Sequence, residues 1–113
     1  MACFDTTPLF IINYNGLENL GSRFVEVVER AVVASTHIDN LKVVLVDNGS
    51  EDGSLDAVMD RFRDVVLPIR IESNLGHSMG VNVALRRHAN ITGYIPKYTF
   101  VMDNDYIIVN PMG

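Results

Sequence analysis

The chain predicts an α/β fold built on a mostly parallel sheet flanked by helices. Three observations lead there. Four short apolar runs are rich in Val, Ile and Phe, segments of helical period separate them, and polar residues gather just after each run. Crossover connections between parallel strands are right-handed, so a doubly wound half-sheet is the natural assembly, with strand order 3-2-1-4.

The first strand is "PLFIINY", Pro8 to Tyr14. After it Leu17, Leu20, Phe24, Val27, Val28 and Ala31 recur at helical spacing, and Asn15 with Glu18 three residues on resembles a capping box. The second strand is "LKVVLV", Leu41 to Val46, followed by a helix whose Leu55, Val58, Met59 and Phe62 keep the i, i+3, i+4, i+7 pattern. In the third, "LPIRIE", Leu67, Ile69 and Ile71 alternate with Pro68, Arg70 and Glu72. A proline without an N–H and charges on one face mark an edge strand. A third helix is expected from about Ser78 to His88, with Val81, Ala84 and Leu85 inward and the cations of "ALRRH" near its C-terminal end, where the helix dipole favours them. "NITGYIPKY" reads as a loop and "YTFVM", Tyr98 to Met102, as the fourth strand.

The 113 residues make one domain, long enough for its own core, and 48% hydrophobic with 20% charged residues is a globular composition. A net charge of -5 without a basic run argues against a nucleic-acid partner held by its phosphates. Cys3 is the single cysteine, which excludes a disulfide framework and a thiolate zinc site. No apolar run approaches about 18 residues and no signal-peptide pattern opens the chain, so a cytoplasmic location without a membrane segment is expected, membrane association of a longer parent being left open.

Ligands of open parallel sheets bind beyond the carboxyl ends of the strands. Here those ends carry Asn13, Tyr14 and Asn15; Asp47, Asn48, Gly49 and Ser50; Ser73 and Asn74; and Asp103 to Asp105. Read alone, "VDNGSEDGS" is either a turn with capping residues or a carboxylate fixed to accept a hydrogen bond from a base or sugar hydroxyl. "NLGHSMGVNVAL" is a glycine-rich turn entering a helix whose free N–H groups suit a phosphate, but it matches neither dinucleotide nor P-loop fingerprints. Asn82 and Arg86 share a helical stripe, with Arg86 read as solvated and His77 as a loop histidine. "DND" is weak in isolation, but at a strand end alternate carboxylates can meet at one point, as Mg²⁺ or Mn²⁺ bound to a diphosphate requires.

Taken together these residues resemble the family-2 glycosyltransferases with a GT-A fold. "IINYN" resembles that family's opening strand, "VVLVDNGSEDGS" its V-D-N-x-S-x-D-x-S element, "NLGHSMGVNVAL" its N-x-G-x-x-x-G-x-N-x-x-[LI] element, and "FVMDNDYIIVNP" its apolar strand with the D-x-D. The resemblance implies a Rossmann-like half of that fold, a nucleotide-diphosphate sugar donor, a divalent metal (Mn²⁺ or Mg²⁺) and transfer of a glycosyl group to an acceptor. It implies a nucleotide-sugar site of Tyr14, Asn15, Asp47, Asn74, Asn82 and Asp103. Tyr14 would lie against the base, Asp47 would hydrogen-bond it, Asp103 would meet the ribose or metal, and Asp105 would ligate the metal.

In that family the catalytic base lies well downstream of the D-x-D, so the expectation for residues 1–113 is a truncated donor domain without its acceptor half, inactive or weakly active alone. "YIIV" would then be an open strand able to pair two copies. The competing readings are a non-catalytic α/β assembly or nucleotide-binding module and a nucleotidyltransferase-like domain, whose usual cation after the first strand "NYNGLENLG" lacks.

Overall fold

Val- and Ile-rich runs too short for helices pair as strands, and the crossovers between them place helices on both faces. A computed structural model describes residues 6–38 and 40–103. In chain order the elements are β1 (Thr7–Asn13), α1 (Gly16–Leu20), α2 (Ser22–Ser35), β2 (Leu41–Asn48), α3 (Ser54–Phe62), β3 (Val66–Ile71), α4 (His77–Thr92) and β4 (Phe100–Asp103). The four strands form one sheet in the order β3-β2-β1-β4, and every neighbouring pair is parallel. The expected order and the edge position of β3 both hold, with Pro68 and Arg70 exposed on that edge.

Alternation along the strands divides the interior into two layers. Ile11, Val43, Leu45 and Val66 face α2 and α3 and pack with Phe24, Val28, Ala31 and Val58. Phe10, Ile12, Val44, Val46, Ile69 and Ile71 face the other way, against Ala84, Val81 and Leu85 of α4. β1 and β2 are therefore apolar on both faces, as interior strands of a covered parallel sheet must be. α4 is pinned to β3 by Arg87, which donates to the Arg70 carbonyl and lies 3.6 Å from Glu72.

Local details depart from the sequence reading. The first helical stretch is two helices, because Gly21 adopts φ 61°, ψ −139°, a conformation open essentially to glycine alone. The Asn15–Glu18 capping box does not form. Asn15 itself is left-handed at φ 53° and its side chain makes no cap bond, accepting instead from the Glu51 N–H at 3.0 Å. α4 begins at His77 and runs on through "NIT" to Thr92, where Gly93 (φ 83°) closes it with an N–H to the Ala89 carbonyl. Arg86 and Arg87 consequently sit inside the helix, whose last turn has no basic residue, and Arg86 is exposed as expected. Asp103 is the last residue of β4, not the first beyond it. The strand expected in "YIIV" lies outside the described residues. Among those described, no helix is long and apolar enough to cross a membrane.

Candidate functional site

The same alternation that sorts the core sorts the polar strand ends. Asn13 and Asp47 stand opposite one another in the β1/β2 register and turn toward α1 and α3. Asn48, one residue on, and Asp103, opposite Ile12 in the β1/β4 register, turn toward α4. The rim is thereby divided into two concavities, one above each face.

On the α3 side a concavity of about 200 Å³ is lined by Asp47, Ser50, Glu51, Gly53, Ser54, Leu55, Asp56 and Arg70. Asp47 is fully buried, and a buried carboxylate needs partners. Oδ1 accepts from Asn13 Nδ2 at 3.2 Å and Oδ2 from Arg70 Nη1 at 3.0 Å, Arg70 being its register partner on β3. Asn13 also donates to Ser50 Oγ at 3.1 Å, and Ser50 accepts the Asn15 N–H at 2.8 Å. Asp52 ties the next turn together, accepting from the Glu18 N–H at 2.9 Å and from the Ser54 N–H and hydroxyl. Partial burial raises its pKa, but these hydrogen bonds outweigh that and leave it below the ordinary carboxylate value.

On the α4 side a more open concavity of about 260 Å³ is lined by Ile12, Tyr14, Asn48, Asn74, Gly76, His77 and Asp103. Asn48 organises it: Oδ1 accepts the Leu75 N–H at 3.1 Å, and Nδ2 donates to Asn74 Oδ1 and the Gly76 carbonyl, each at 3.2 Å. Two glycines permit this close fit. A Cβ on Gly80 would stand 2.9 Å from Asn48 Nδ2, and one on Gly49 (φ 85°) only 2.5 Å from the Asn74 nitrogen. The N-cap of α4 is Gly76, which has no side chain to offer and makes no cap bond, and Gly76 and His77 both line the concavity. His77, the first residue of the helix, places Nε2 3.0 Å from Asp103 Oδ1.

Of the residues named from the sequence, Tyr14, Asn74 and Asp103 line the α4-side concavity and Asp47 the α3-side one. Asn15 lines neither and is engaged in bracing the β2–α3 loop, while Asn82 lies exposed on α4. Asp105 lies outside the described residues. Four contributors were not singled out as site residues: Asn48, Ser50, Arg70 and His77. The signal for Arg70 was present, since one residue of an edge strand's charged face must lie beside the neighbouring strand's terminal aspartate. His77 was read as a loop histidine, because its place at the start of α4 depends on where that helix begins.

A parallel sheet in the order β3-β2-β1-β4 with helices on both faces defines an α/β domain of the Rossmann-like class. The chain belongs to a particular group of these: the family model described as Glycosyl transferase family 2 matches residues 9–109. No match was found among curated proteins.

Proposed function

We propose that the chain is the donor-binding domain of a glycosyltransferase, holding a nucleotide-diphosphate sugar at the rim with a divalent cation for transfer of the sugar to an acceptor. The observation that carries this reading is convergence: Asp103, His77, the uncapped start of α4 and the half-exposed Tyr14 ring meet around one concavity. A diphosphate suits the free N–H groups of a helix start, and a base suits the face of an aromatic ring. Asp47 is fully buried with both oxygens engaged, so the base contact on that side falls to the half-exposed Arg70 guanidinium, which Asp47 holds.

The residues fit a cation. Asp103 and His77 offer one carboxylate oxygen and one imidazole nitrogen at the edge of an open concavity. Among the described residues no third His, Cys, Asp or Glu joins them. Asp105 and the diphosphate oxygens would complete a set of the kind hard divalent ions take. When bound, the ion offsets the charge that develops on the leaving diphosphate.

Calorimetry of the chain with UDP, GDP and their sugars, with and without Mn²⁺, tests the reading. Tight binding of one of them only with metal is expected, weakened at least tenfold by Asp103→Asn, which keeps the shape and removes the charge. A folded chain that binds none of them in a metal-dependent way would overturn it.

A further inference from the structure

We propose that His77 is itself a ligand of the cation, so that an imidazole and a carboxylate, and not carboxylates alone, are the protein's part of the metal site. This rests on the donor-binding reading above. The Nε2 to Oδ1 separation is 3.0 Å. Two donor atoms on adjacent vertices of an octahedron, each about 2.1 Å from the ion, stand about 3.0 Å apart, so the observed separation matches that of a ligand pair. Without it, Nε2 and Oδ1 stand in close contact. A neutral imidazole that carries its proton on Nδ1 would present the Nε2 lone pair to the ion.

The pair is held from both sides. Asp103 is fixed by the β1/β4 register, and His77 follows directly from the turn that Asn48 clamps through Leu75, Asn74 and Gly76. As a bare ion pair between two half-exposed side chains it adds little to the stability of the fold. As two ligands it gives the site a chemical preference. Mg²⁺ is held chiefly by oxygen and tolerates imidazole least of the divalent ions, so His77 biases the site away from Mg²⁺.

Pulsed EPR of Mn²⁺ bound to the whole chain, alone and with UDP or GDP, reads this without any turnover. The expected result is nitrogen modulation of the Mn²⁺ signal that disappears in His77→Gln, with Mn²⁺ affinity falling about tenfold to a hundredfold. The ratio of Mn²⁺ to Mg²⁺ affinity is expected to fall with it, in a variant whose circular dichroism is unchanged. Mn²⁺ that binds with the nucleotide but shows no nitrogen modulation, or modulation that persists in His77→Gln, would overturn the role of His77 and leave donor binding standing. Failure of the folded chain to bind Mn²⁺ at all, with or without nucleotide, would overturn both.

Discussion

Asp47 and Arg70 show how much one cross-strand register position can carry. The carboxylate is fully buried, the guanidinium half exposed, and the 3.0 Å contact between them is what makes the buried charge tolerable. Removing the cation leaves that charge stranded, whereas replacing the carboxylate by its amide removes the charge and leaves only one former donor, the half-exposed Arg70, to turn away toward solvent. Arg70→Ala is therefore expected to cost about 3 kcal/mol in urea unfolding, and Asp47→Asn distinctly less. At this scale the sequence was only partly legible. Asp47 and Asp103 could be placed at strand ends because apolar runs end there. The brace that Asn15 makes to the β2–α3 loop could not be read, because its left-handed backbone and its bond to Glu51 arise only once two loops meet.

Helix ends decided what could be read of the elements. The centres of α2, α3 and α4 announce themselves through apolar periodicity, but the break at Gly21 and the extension of α4 to Thr92 depend on backbone angles that periodicity does not encode. α4 carries His88 under β1, and the extension matters because it delivers Tyr94 to that ring. The His88 ring is buried edge-on between Phe10 and Tyr94, with Nδ1 left without a partner among the described residues. Tyr94 in turn bonds to Thr6, so this cluster fastens α4 to the start of β1. Burial lowers the pKa of His88 below its ordinary 6.5. Above that pH the folded and unfolded rings are both neutral. As pH falls below it the unfolded ring takes up a proton that the folded one resists, and stability declines toward the folded pKa. Urea midpoints measured from pH 7.5 down to pH 5 should fall, and His88→Phe should flatten that part of the decline.

For the molecule as a whole, the sheet order was readable because few arrangements satisfy right-handed crossovers with a proline-bearing strand at the edge. The division of the rim was not read, although the residue parity that produces it is plain in the sequence: Asp47 and Asn48 are neighbours, yet they serve opposite faces. A measurable independence follows. With Arg70 assigned to the base and His77 to the metal, the effects of Arg70→Lys and His77→Gln on Mn²⁺-dependent nucleotide binding should add in the double variant to within about 0.5 kcal/mol. A coupling well above that would place both side chains in one shared network. The two-sided rim also bears on how such a protein can diverge. A sheet one residue thick acts as a partition, so the Arg70 contact and the His77 contact proposed above sit in separate compartments. Each can drift, or be redesigned, without retuning the other.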